Sequence, residues 1–554
     1  MLTYDRLVEQ LDCRVEMLLP QQVMDESRSD CGGFGSSGYG MVGGSQIGSV
    51  QTLGFAWLLE GSRFYGDADI LDRLLKGAQF ARSVRRPSGL FDLITTDWDS
   101  GPYTAFLVQA LAPMVKAARR SKVAGAAEVA EVWGEIIQAT GHGMAKGGFN
   151  TPNHRWVLVS ALSQALNLFP DLDVLPAIES YLAETIDINP DGEYTERSTG
   201  VYNAICNRSL RLAAEMLERS ELLDPVRQNL DTSFHLLHAD GSVVTSLSRR
   251  QDRGTTVIPA GMVDSYYTMA RLDDNGLFAS IADWLASFDG AGLPWSLEPF
   301  LSHPEWRCDD LRREPISEDY RKVYPSSGVY RIRRGKLSAT GATGITAPFS
   351  LKYGQAELRA IQVCGCYFGL AQFRAETLRE EADQIVLDFP GRGRRHDGPI
   401  YYHPVGRSVS MDEYADLRLE RDVTVLPPLE MSLVVKEVGR GFDVQLVTAE
   451  PFDNIPVQIA FDFGPDGVFD FEDGIVQGRA GKVLFLRNGA GIYHVGQDAI
   501  SIGPGAFAHR MWDMRNSESA PHAFRVLMTF TTPVDHRVEI RCGTWNESAM
   551  NITY

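Results

Sequence analysis

No stretch of this sequence reaches the roughly 20 apolar residues that a membrane-spanning helix needs. The N-terminus, Met1-Leu2-Thr3-Tyr4-Asp5-Arg6, carries charge where a secretion signal would need an apolar core, so a cytoplasmic protein is expected. Cysteine is sparse: seven in 554 residues, at positions 13, 31, 206, 308, 364, 366 and 542. An odd, scattered set in mostly apolar surroundings fits a reducing compartment better than a disulfide framework. The one close pair, Cys364-Gly365-Cys366, has no second Cys/His pair at zinc spacing, so it reads as packing, and no metal or other cofactor is expected. Positive charge is also short, with 53 Lys and Arg against 72 Asp and Glu and a formal net charge of -19. Such a surface argues against nucleic-acid and membrane partners. An anionic ligand has to find a local basic pocket, and a homo-oligomer is compatible with the composition.

Signatures of several enzyme classes are missing too. The chain has no Walker lysine loop, His-Glu-x-x-His helix, EF-hand loop or Gly-x-Ser-x-Gly elbow. Gly33-Phe34-Gly35-Ser36-Ser37-Gly38 has the spacing of a dinucleotide fingerprint, but no strand-like run precedes it. It reads as a glycine-rich loop, at the mouth of a cleft or simply at the surface.

What is present divides the chain in two. In residues 1–295 apolar positions recur every three or four residues, as in Ala105-Phe106-Leu107-Val108-Gln109-Ala110-Leu111, and turn-rich stretches interrupt them regularly. Paired helices with loops collecting at one end predict an α/α toroid, or incomplete barrel. Residues 296–325 mix proline and charge without a period and read as a connector. Residues 326–554 turn to Val, Ile, Phe and Tyr in period-two alternation with frequent glycine turns, which predicts an antiparallel β-sandwich.

Chemistry concentrates at predicted helix starts. Asn153-His154-Arg155 opens an apolar helix, where Asn153 reads as an N-cap or, with free N–H groups beside it, as part of a carboxylate site. A helix-length gap later come Asp191-Gly192, Glu196, Arg197 and Tyr202. Arg249 and Arg250 read as part of a solvated charged loop or as a bidentate grip on an acidic group, and Trp98, between Asp97 and Asp99, is a sugar-stacking platform or a core aromatic. In the second half Tyr402-His403 follows the basic loop Arg392-Gly393-Arg394-Arg395-His396, and either residue is a catalytic candidate or a strand-end residue.

These residues and the two-domain layout resemble the heparinase II/III-like polysaccharide lyases, which pair a helical toroid with a C-terminal sandwich. The resemblance implies that Asn153 and His154 neutralise a uronate carboxylate and that Tyr202 is the acid or base. The His-x-His-x-Asp signature that the family carries early in the sandwich is absent; Ala347-Pro348-Phe349-Ser350-Leu351-Lys352-Tyr353-Gly354 stands there. Tyr353, Tyr402 and His403 are the available substitutes. The implied reaction is β-elimination at a uronic acid of an acidic oligosaccharide substrate, exolytic on imported fragments. Asn153 and a protonated His154 would stabilise the developing charge, and Arg197 or Arg208 would favour the phenolate of Tyr202. Glu196 would orient the histidine or bind a hydroxyl, and Arg155 would lie beside the carboxylate. The alternatives are a toroidal glycoside hydrolase using paired carboxylates from Asp97, Asp99, Asp191, Glu193 and Glu196, or a uronate epimerase.

Overall fold

The computed structural model describes residues 4–36, 41–42, 44–288, 290, 292–308, 310–369, 372–393 and 395–553. Ser37 and Gly38 of the glycine-rich loop and Arg394 of the basic loop lie outside them. The chain forms two compact units, Met1–Leu237 with Gly241–Ile316, and His238–Asp240 with Ser317–Tyr554.

In the first unit, helices that are buried nearly all round alternate with helices that bury one stripe. Val50–Leu58 is buried throughout, and Gly101–Arg120, Pro152–Leu168, Tyr202–Leu217 and Val263–Asp273 are close to it. Between them Ala68–Val84, Ala126–Lys146, Leu175–Ala183, Asp224–His235 and Gly276–Ala286 keep an exposed face. A helix apolar all round belongs inside and one with a single stripe belongs outside, so the alternation builds an inner and an outer layer, the α/α toroid. Because every inner helix is followed by an outer one running back, the loops that lead into the inner helices gather at one end.

The segment read as a connector at 296–325 is divided between the units. Glu298–Ser302 is a short helix whose first residue is fully buried, with Glu298 Oε2 2.6 Å from Arg211 Nη2, and Asp319–Tyr324 is an edge strand. Arg211 also reaches Asp264, which Arg208 holds with two hydrogen bonds of 2.9 Å. A buried carboxylate survives in a helical core only with such partners.

The second unit contains an eight-stranded and a ten-stranded sheet. Ile332, Leu351 and Ile361 of one share a core with Leu387, Leu433, Val444 and Ile540 of the other, and Phe349 meets Phe442 edge-on at 5.2 Å. This is a β-sandwich. The pairing departs from the expected antiparallel pattern once among the described strands, where Val483–Phe485 runs parallel to Phe524–Thr531. Phe389 and Met431 are paired neighbours, so the described residues between them leave and rejoin the sheet at one point. No described helix is long and apolar enough to cross a membrane.

One ion cluster in the helical unit makes stability depend on pH. His303 lies 3.6 Å from Glu215 and 3.4 Å from Glu305, and Glu215 raises its imidazole above the ordinary value. Burial alone would raise the Glu215 carboxyl, but His303, Lys116 and Arg211 outweigh it and hold it at about 2. The histidine's contribution is complete below about 6.5 and fades as pH rises through its raised native value; the glutamate's is complete above about 4.5 and fades as pH falls toward 2. The pair is therefore expected to stabilise most between those limits. Thermal unfolding of the wild type should lose midpoint between pH 6 and 8 more steeply than that of His303→Gln; parallel curves would remove His303 as the cause.

Candidate active site

The helix Pro152–Leu168 starts without a side-chain cap, since Thr151 is extended and its hydroxyl does not cap the helix. A carboxylate from another loop does that work. Glu196 Oε2 accepts from the Asn153 backbone N–H at 3.0 Å and from Asn153 Nδ2 at 2.6 Å. Negative charge at the positive end of a helix is stabilised by the free N–H groups and the dipole. The anion expected at this helix start is thus supplied by the protein itself. Asn153 lies inside the first turn and is not the N-cap; its second amide bond goes to Thr151 Oγ1 at 2.9 Å. Its Oδ1 is buried without a hydrogen-bond partner.

Glu196 turns its other oxygen to Arg250, with Nη1 3.3 Å from Oε1. The same guanidinium lies over the Tyr202 ring, 4.9 Å from the centroid, an attractive arrangement of cation and π face. Tyr202 is the first residue of its helix. Its phenol oxygen accepts from Gln251 Nε2 at 2.7 Å and its backbone N–H donates to Ser198 Oγ at 3.2 Å. Asn153, Glu196, Arg250, Gln251 and Tyr202 therefore form one connected set.

His154 is half-buried, edge-on to Phe106 at 6.1 Å, with a buried Nδ1 that has no hydrogen-bond partner. Burial pushes its imidazole below the ordinary value; Asp97 opposes this and Arg250 adds to it. The ring is neutral near pH 7, not the protonated group the sequence suggests. Nor does Glu196 orient it, because that carboxylate is committed to Asn153 and Arg250.

Other expected residues are placed differently. Arg155 is buried, 3.2 Å from Glu184 and 2.9 Å from Asp187, and packs over Trp156, so in this structure it braces the helix start. Arg197, in the left-handed region at φ 48, pairs with Glu193 at 2.9 Å, and Arg208 binds Asp264 and Gly261 O. The cation at the phenol is Arg250 and not these two. Arg249 is exposed and is anchored through its backbone N–H to Arg197 O at 2.9 Å. Trp98 is 72% exposed on the hairpin of Phe91–Leu93 and Asp97–Ser100, with the Arg86 guanidinium 4.9 Å over its ring, so core burial is not its fate.

Within the second unit, Tyr402 ends a short exposed strand and its hydroxyl accepts from Arg418 at 3.1 Å. His403 Nε2 is 2.7 Å from Thr424 Oγ1, in a local hairpin contact. Tyr353 pairs with Leu337 and Ala356 and packs against the sandwich core. Each of the three thus has a local structural role. Gln251, Ser198 and Asp252 were not singled out from sequence, where nothing distinguishes them from ordinary loop polar residues. Among the described residues no group of three or more His, Cys, Asp and Glu is arranged to hold a metal ion.

No family model matches the sequence and no curated protein matches it. Solved structures match its fold. Heparinase III aligns over 98% of this chain and 85% of its own, with a TM-score of 0.54 at 9% identity. A xanthan lyase from Paenibacillus aligns over 98% of this chain and 57% of its own, with a TM-score of 0.56 at 10% identity. A Streptomyces coelicolor A3 chondroitin AC lyase, solved with chondroitin sulphate, aligns over 99% and 80%, with a TM-score of 0.53 at 13% identity. The chain has the fold of these polysaccharide lyases, an α/α toroid followed by an antiparallel β-sandwich.

Glu196 is the keystone of the set, which makes it testable. Glu196→Ala leaves the Asn153 backbone N–H and amide without their shared acceptor, and an unmet buried donor costs about 1–3 kcal/mol. A loss of that size in denaturant unfolding is expected, with a smaller one for Glu196→Gln; equal and negligible losses would show that the two bonds contribute nothing.

Proposed function

We propose that the chain is a carbon-oxygen lyase that cleaves a uronate-containing polysaccharide or oligosaccharide by β-elimination. The observation that carries this reading is the phenol of Tyr202, held by an amide donor at 2.7 Å and capped by a guanidinium whose other partner, Glu196, is tied to Asn153. The lyase fold of the structural neighbours agrees with it.

Elimination requires three things: a group facing the uronate carboxylate as charge builds on it, a base for the α-proton, and an acid for the glycosidic oxygen. Arg250 takes the first role. Its ion-pair partner Glu196 is buried while it is only partly so, which leaves guanidinium N–H groups for a carboxylate. A donor that acts on charge developed in the transition state is worth about 3 kcal/mol. His154 takes the second role, because its neutral form is the one that accepts a proton. Tyr202 takes the third and gives its proton to the leaving oxygen, while the Gln251 N–H stabilises the charge left on the phenol oxygen. Exposed Trp98 offers a flat face for a neighbouring sugar ring.

The hydrolase alternative needs two carboxylates free to face one bond. Glu196 is held at both oxygens, Glu193 pairs with Arg197, and Asp99 accepts from the Ser88 hydroxyl, which counts against three of the five carboxylates that hydrolysis could use. Purified protein offered a panel of uronate glycans should release products with the ultraviolet absorbance of an unsaturated uronate. Reducing ends without that absorbance would mean hydrolysis, and solvent deuterium uptake without chain shortening would mean epimerisation. Tyr202→Phe should lose at least about 10²-fold in turnover with binding largely kept. With His154 as base, kcat/KM should rise with pH through a midpoint below 6.5, and His154→Gln should abolish that limb; a limb that persists unchanged in the variant would remove His154 as the base.

A further inference from the structure

We infer that Asp252 is a positioning residue of this site: its buried carboxylate fastens the loop bearing Arg250 and Gln251 to the loop that starts the Tyr202 helix. The kinetic part of this inference rests on the lyase reading; the structural part does not.

Asp252 is 4% exposed and sits next in the chain to the two residues that touch Tyr202. Its Oδ1 accepts from the Ser198 hydroxyl at 3.0 Å, and its Oδ2 from the Gly200 N–H at 2.9 Å and the Ser248 hydroxyl at 2.7 Å. Ser198 Oγ in turn accepts the Tyr202 backbone N–H at 3.2 Å, so a continuous chain runs from the carboxylate to the first residue of the catalytic helix. Ser248 Oγ closes a parallel link by accepting the Thr199 N–H at 3.2 Å, and Thr199 Oγ1 donates to Val244 O at 2.6 Å. Charge-assisted bonds of this kind are roughly twice as strong as neutral ones, and three from one carboxylate fix two loops in register. Gly200 is part of the device. A Cβ there would stand 3.0 Å from Asp252 Oδ2 and 3.3 Å from Val257 Cβ, so a side chain at 200 would press the two loops apart.

The arrangement does more than hold a loop closed. The residues on either side of the 2.7 Å Gln251–Tyr202 bond are both tied to Asp252, one through the chain and the other through Ser198. A displacement of about 1 Å at a reacting group costs on the order of 10² in rate, and slackening this clamp moves the donor and the cation away from the phenol together.

The test uses the full chain carrying 3-fluorotyrosine, with the Tyr202 resonance assigned by its absence in Tyr202→Phe. Asp252→Asn should shift or broaden that resonance and lower kcat by about 10²-fold with KM within about threefold. Gly200→Ala, which pushes on the same carboxylate from the other loop, should reproduce both effects and carries the test if Asp252→Asn fails to fold. An unmoved resonance in a folded variant overturns the inference, as does turnover within twofold of wild type. If the wild type yields no unsaturated product from any glycan, the lyase reading fails and the resonance alone decides the role of Asp252.

Discussion

The candidate site depends on a buried carboxylate that is never left alone. Glu196 sits at the start of the Pro152–Leu168 helix, where free N–H groups and the helix dipole stabilise its charge, and its second oxygen faces the Arg250 guanidinium. Removing an ion from water costs several kcal/mol, and only a full set of donors makes that tolerable. Meeting that demand brings Asn153, Glu196 and Arg250, distant in sequence, into one place. The same guanidinium covers Tyr202, so the group that balances the glutamate also sets the environment of the phenol.

This convergence follows from the helical architecture. Inner helices buried all round must be interleaved with outer ones that cover them, so the loops entering the inner helices collect at one end. The Trp98 hairpin, the Asn153 helix start, the loop bearing Glu196 and the loop bearing Arg250 are four such segments. The rigid part is the ring of packed helices, and the chemistry is carried by loops whose hydrogen bonds to each other replace regular structure. Buried pairs such as Arg211 with Glu298 give the interior its own fixed charges.

Much of this was legible from residue order. The change from three- and four-residue spacing to period-two alternation separates a helical from a strand-rich half, and the structure has both. The clustering of Asn153, His154, Glu196, Tyr202 and Arg250 at helix starts and loops was visible as well. Their roles were less so. Arg155 has the same charge as Arg250 and stands nearer to Asn153 in sequence, yet it braces Glu184 and Asp187. His154 looks like a cation beside a carboxylate until its burial is known, and burial disfavours the charged ring. Asp252 carries no signal at all in its Arg-Arg-Gln-Asp-Arg-Gly setting.

Residue order alone sets which positions are apolar and at what period, and thus which segments become buried helices, striped helices or strands; these are local properties set by side-chain direction along the backbone. It also determined which polar groups stand at helix starts. Which of those groups meet is settled by the packing of the folded chain. Whether Arg250 or Arg197 faces the phenol, and whether Glu196 serves a histidine or an asparagine, depends on how loops separated by dozens of residues cross. The free energy of a charge is set by its neighbours in space and not by its neighbours in the chain.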